Sequence, residues 1–105
     1  MANESTAMYA DLQPGTVLFW DSGWSMLIPH FGVITRRTPK TITVAELGIT
    51  HIGADKYGQH GTAVPKMDVR TGRVYRNRLT RSYPVVDGHY ASIWDGNPKQ
   101  YDFMD

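Results

Sequence analysis

Apolar and polar residues alternate along much of this chain with a period of two, in short runs bounded by Gly, Pro and Thr, which predicts strands rather than helices. Thr16-Val17-Leu18-Phe19-Trp20 follows the breaker pair Pro14-Gly15. Its unbroken apolarity suits a strand covered on both faces. From Phe31 to Arg37 the faces separate, Phe31, Val33 and Thr35 on one side and Gly32, Ile34 and Arg36 on the other. Thr38-Pro39-Lys40 has turn chemistry, because Pro pre-sets φ. Thr41 to Leu47 alternates again, and Gly48 is expected to stop it, giving a first hairpin. A second hairpin is predicted from Ala63 to Arg70 and from Arg73 to Leu79, reversing at Thr71-Gly72. In its second arm Tyr75 and Leu79 are expected to face inward with Arg73 and Asn77, sending Arg76 and Arg78 to solvent with Val74.

The ends and loops are less periodic. Residues 1–15 read as a partly disordered flap, in which Ser5 can cap one helical turn through Leu12 before Pro14 ends it. Pro84-Val85-Val86 suits a short strand. Asp87 can then cap a helical turn from Gly88 to Trp94, with Gly96 and Pro98 as its stop signals. Tyr90, Ile93 and Trp94 would share one side of that turn, Trp94 would plug the barrel, and Tyr101 and Phe103 would extend along an edge. The segment Asp21 to His30 is long and apolar for a loop. Trp24 and Met26 within it either cap one end of the core or form an exposed protein interface.

At 105 residues the length fits one domain, here 16–105, burying one modest core. Hydrophobic content of 41% with 11% aromatics marks a globular chain, and no run approaches the roughly 18 apolar residues of a membrane span. The absence of cysteine removes disulfides and thiolate metal sites and suits a cytoplasmic setting. No secretory signal is read at the N-terminus.

A strand, a long irregular loop and two hairpin strands at the start of the fold resemble the SH3-like small barrels. The fold expected on that resemblance is mainly β, an SH3-like small barrel of about five strands with a short C-terminal helical turn. Trp20, Gly23-Trp24, Phe31, Val33, Lys40-Thr41 and Glu46-Leu47, with Tyr90-Ala91, Trp94-Asp95-Gly96 and Pro98, are similar to a set of uncharacterised small proteins of phages and mobile elements. The resemblance implies a phage-type accessory protein and no particular chemistry.

Charge changes the picture only locally. The net charge is +1, yet Lys66, Arg70, Arg73, Arg76, Arg78 and Arg81 are six of the 11 lysines and arginines, set within sixteen residues that hold the single acid Asp68. A strand spaces the side chains of one face by about 6 to 7 Å, and Arg forks grip phosphate bidentately. Tyr75 and Tyr83, interleaved with these cations, are candidates for base stacking. The structural alternative is a solvated basic edge that guards against aggregation. The functional expectation is a non-enzymatic binding module that contacts a nucleic-acid backbone through this basic hairpin. The alternative is a protein-binding inhibitor or assembly factor that engages an acidic protein surface through the Trp24 loop and the same arginines. An antagonist of a bacterial defence system, such as an anti-CRISPR, would be of this kind. An edge strand leaves monomer and homodimer both open.

Catalytic and metal patterns are weak. Ser25 with His30, or Ser92 with His89, lacks the surroundings of a nucleophile. His51, Asp55 and His60 fit no ligand spacing. Gly58-Gln59-His60-Gly61 lacks the Lys-Ser/Thr of a phosphate loop. No enzyme activity, metal or cofactor is expected, and no membrane partner.

Overall fold

The computed structural model describes residues 11–23, 27–53, 60–79 and 84–102. Seven strands form one antiparallel sheet: β1 (Val17–Asp21), β2 (Pro29–Arg37), β3 (Thr41–Ile52), β4 (His60–Arg78), β5 (Val85–Val86), β6 (His89–Ile93) and β7 (Lys99–Asp102). Their order across the sheet is β5-β6-β1-β2-β3-β4-β7. No described helix is long and apolar enough to cross a membrane.

The sheet is mainly β as expected, but it is not closed into a barrel. It is curled, and chain length requires that. Laid flat, β6 and β7 would stand five inter-strand steps, about 24 Å, apart. The chain from Ile93 to Lys99 makes six residue steps and reaches at most about 22 Å. The curl brings β5 against β4 and β7 against β2.

Because strands alternate their side chains, the curled sheet buries a core on each face. The first contains Leu12, Leu18, Trp20, Ile34, Ile42, Val44, Val86 and Ala91, with Tyr75 and Leu79 packed on it. The second contains Phe31, Leu47, Ala63 and Tyr101, flanked by Val17, Phe19, Val33, Ile49 and Trp94. Strand β1 feeds both, Leu18 and Trp20 to one side and Val17 and Phe19 to the other, as its unbroken apolar run implied. Gly32 lets Trp20 lie across β2. A Cβ there would stand 2.4 Å from Val44 Cγ1 and 3.0 Å from the indole.

Three local expectations are overturned. Gly48 does not end its strand: β3 continues to Ile52, where Gly48 to Ile52 pair with Lys66 to Thr62. Ile49 gains burial in the second core, which sustains the extension. Thr71-Gly72 is not a turn, so there is no second hairpin at that point. Strand β4 runs through it as a single strand because the long β3 templates both of its halves. The extra residues are taken up as irregularities between Arg70 and Val74 and between Lys66 and Arg70, with Gly72 at φ +98°. The C-terminal helical turn is replaced by a hairpin. Asp87 (φ +51°) and Gly88 (φ +79°) form its two-residue reversal, and Val85 pairs with Tyr90. Positive φ at both central residues is the geometry whose twist matches flanking strands, so the Asp-Gly signal here meant turn, not cap.

The first hairpin stands as expected. The Thr38 N–H donates to the Thr41 carbonyl at 2.9 Å, and β2 pairs with β3 from Arg37 opposite Ile42 to Phe31 opposite Leu47. Trp94 is half-buried, its ring meeting Phe31 edge-on at 5.7 Å, and Tyr101 is buried in β7. Arg37 Nε donates to the Leu12 carbonyl at 3.0 Å, tethering the segment before β1. Residues 1–10, which hold the rest of the proposed flap, and Phe103 lie outside the described residues.

Candidate nucleic-acid interface

The cations of β4 divide between the two sides of the sheet. Arg76 registers opposite Thr43 and Arg78 opposite Thr41, and cross-strand partners share a face. Both arginines are exposed, whereas Tyr75, Asn77 and Leu79, which alternate with them, are half-buried, as the alternation predicted. Thr43 also registers opposite Arg36 of β2. Arg36 and Arg76 therefore flank one threonine across three adjacent strands.

Period-two counting places Arg36 on the side of Gly32 and Ile34, the side that carries the first core. An irregularity between Ile34 and Arg36 moves it to the outer side and leaves it exposed. The available signal was the adjacent pair Arg36-Arg37, since a strand end has no room to bury two arginines. Lys40 stands exposed at the hairpin turn, and a groove of about 440 Å³ is lined by Lys40, Thr41, Arg78 and Leu79. Among the described residues no carboxylate lies within ion-pair reach of Arg36, Lys40, Arg76 or Arg78.

The remaining β4 cations behave differently. Lys66 registers opposite Gly48 and lays its stem over that backbone, its Cδ 3.6 Å from where a Cβ would stand. Arg70 is exposed opposite Leu47, between the two irregularities. Arg73 turns to the opposite side from Arg76. The Tyr75 hydroxyl first, and then the charge of Glu46, raise its already high pKa. Arg81, Tyr83, Trp24 and Met26 lie outside the described residues.

On that opposite side a polar group closes one end of the first core. Glu46 is the buried charge among the described residues, at 8% exposure. Its carboxylate accepts from the Tyr75 hydroxyl at 2.9 Å and from Thr71 Oγ1 at 3.4 Å, and it lies 3.7 Å from His30 Nδ1. His30 stacks on Trp20 at 5.6 Å, and its Nε2 shares a hydrogen bond of 2.7 Å with Ser22 Oγ. Burial raises the Tyr75 phenol above its ordinary value, and Glu46 adds to this against an opposing contribution from Arg73. Tyr75 is thereby committed to the interior, through Glu46 and an edge contact with Trp20 at 5.9 Å. It is not placed to stack a base.

Ser22, His30 and Glu46 are ordered like a nucleophile, a base and an orienting acid, a grouping that no spacing along the chain reveals. Acyl transfer also needs N–H donors aimed at the developing oxyanion. Here the Ser22 N–H donates to the Ile28 carbonyl at 3.1 Å, and the Gly23 N–H donates to Asp21 Oδ1 at 2.7 Å. Asp21 Oδ1 also accepts from the Ile28 N–H. The group thus acts as a clasp that ties the end of β1 to β2, β3 and β4.

His51 is exposed and tilts against Tyr101 at 4.5 Å. Asp55, the His60 side chain and residues 58–59 lie outside the described residues, whereas His60 and Gly61 begin β4. Among the described residues no three His, Cys, Asp or Glu side chains cluster as metal ligands. Compared with family models, curated proteins and solved structures, the chain matches none.

Proposed function

We propose that this protein is a small non-enzymatic binding module, of phage accessory type, that holds a nucleic-acid backbone against the outer face of β2, β3 and β4. The observation that carries the reading is that Arg36, Arg76 and Arg78 share the exposed hairpin end of the face that carries the second core, without carboxylate partners among the described residues. Lys40 extends the same charge around the hairpin turn. Thr41 and Thr43 stand between the arginines, and hydroxyls and guanidinium groups are the usual phosphate contacts.

Fluorescence anisotropy with labelled oligonucleotides over a salt series tests this. Log affinity should fall linearly with log salt, with a slope of about −0.7 to −0.9 per phosphate contacted. Replacing Arg76 and Arg78 together by alanine should make that slope shallower by about two contacts while leaving the melting temperature unchanged. An unchanged slope in the double variant overturns the assignment.

A second reading, a protein-binding inhibitor or assembly factor, is favoured by Met67, Val69 and Val74, which lie 53%, 49% and 61% exposed along β4 among the same arginines. A complex anchored on such apolar side chains should respond far less to salt. A stoichiometric protein partner that survives nuclease treatment of a lysate pull-down would select this reading.

A further inference from the structure

We infer that the basic face selects double-stranded over single-stranded nucleic acid, with Arg36 on β2 and Arg76 and Arg78 on β4 acting as two parallel rails. The inference rests on the nucleic-acid reading above and narrows its ligand.

The first argument is what this face lacks. Proteins that hold single strands combine a cationic groove with aromatic side chains, and each stacked base contributes roughly 1 to 3 kcal/mol. The register assigns Arg36, Thr41, Thr43, Val74, Arg76 and Arg78 to this end of the outer face. None is aromatic. Tyr75, the aromatic residue set between the arginines in sequence, lies on the other side, bonded to Glu46. With no aromatic side chain at this end of the face, affinity there must come from phosphate charge, and a duplex presents one charge per about 1.7 Å of axis against about 3.4 Å for one strand.

The second argument is spacing. Arg36 and Arg76 are two inter-strand steps apart, about 10 Å between backbones, while Arg76 and Arg78 are about 7 Å apart along β4. One rail can follow a single phosphate backbone. Two rails separated by a threonine row can reach both backbones across a minor groove about 6 Å wide. Thr41 and Thr43 between the rails are short and only half-exposed, and guanidinium forks engaged on phosphates are not reading base edges, which in a minor groove carry a largely degenerate pattern anyway. Binding should therefore be indifferent to sequence.

The test uses the intact chain with oligonucleotides of one length in one buffer: single-stranded DNA, duplex DNA of two unrelated sequences, and duplex RNA. Duplexes should bind about ten-fold or more tightly than the single strand, and the two DNA sequences should bind alike. Arg36→Ala should weaken duplex binding several-fold and leave the single strand nearly unaffected. Thermal melting of that variant should be unchanged, since the side chain is exposed. Equal or tighter single-strand binding overturns the inference and leaves the nucleic-acid reading standing, as does an Arg36→Ala loss that is the same for both forms. A strong preference for one DNA sequence overturns the backbone-only contact. Failure of every oligonucleotide to bind at low salt overturns the nucleic-acid reading itself, and the inference with it.

Discussion

The two sides of the β3–β4 ladder treat charge in opposite ways. On the inner side Glu46 is buried and answered by the Tyr75 and Thr71 hydroxyls, with His30 beside it, and Arg73 is drawn toward the same group. On the outer side Arg36, Arg76 and Arg78 stand in water with no carboxylate beside them among the described residues. A charge committed to a clasp contributes to stability, because leaving its partners unmatched in a low-dielectric site is costly. An exposed cation without a partner contributes little to stability and remains available to an external anion. Sequence adjacency does not distinguish the two, since Arg73 and Arg76 are three residues apart and serve opposite sides.

Substitutions on the inner side should therefore move stability and spare binding. The largest effect is expected at Glu46→Ala, which strands two hydroxyl donors and His30. It should cost on the order of 3 kcal/mol and lower the melting point by about 12 °C or more, while oligonucleotide affinity measured below the transition stays the same. If Glu46→Ala abolishes binding in a chain that still melts cooperatively, the division between the sides is wrong.

Gly32→Ala comes next. The added carbon meets Val44 and the Trp20 ring, and overpacking of this kind costs about 1 to 3 kcal/mol. Denaturant titration should show it as a lower midpoint.

A smaller gain is expected at Asn77, whose Nδ2 is buried without a hydrogen-bond partner among the described residues and whose neighbours are the first core. Asn77→Val removes that unmatched donor and should stabilise by about 1 kcal/mol, raising the melting point by roughly 4 to 8 °C.

The mildest test is alkaline titration. Tyr75 holds its proton more tightly folded than unfolded, since burial and Glu46 oppose a phenolate. Its contribution is complete below the unfolded value of about 10 and is lost as pH rises through the higher folded value. Stability should fall above pH 10, and Tyr75→Phe should flatten that limb. A limb unchanged in Tyr75→Phe assigns it to another group.

The period-two pattern carried most of the strands and the inward face of Tyr75 and Leu79, because burial on one side of a pleated strand leaves a regular trace. It failed where the ladder is irregular. The shift beside Thr35 reversed Arg36, and the two in β4 turned an expected reversal at Thr71-Gly72 into a continuous strand. Such irregularities depend on which strand lies alongside, and that is information outside the local window. Barrel closure was likewise unreadable, since it depends on how far the whole sheet curls and not on any local pattern. The pairing of Ser22 with His30 and of Glu46 with Tyr75 left no trace either, because these residues come from four separated segments.

The short link between β6 and β7 has a consequence for how the chain reaches its folded state. Residues 94–98 carry the polypeptide from β6, next to one margin of the sheet, to β7 at the other. Trp94 Nε1 donates to the Asn97 carbonyl at 2.7 Å, and Asp95 is held to Lys99. Ala91 then completes one core and Tyr101 the other. A nascent polypeptide emerging from the ribosome therefore lacks the last member of the first core until Ala91 has been synthesised and of the second until Tyr101, so the two cores are completed one after the other.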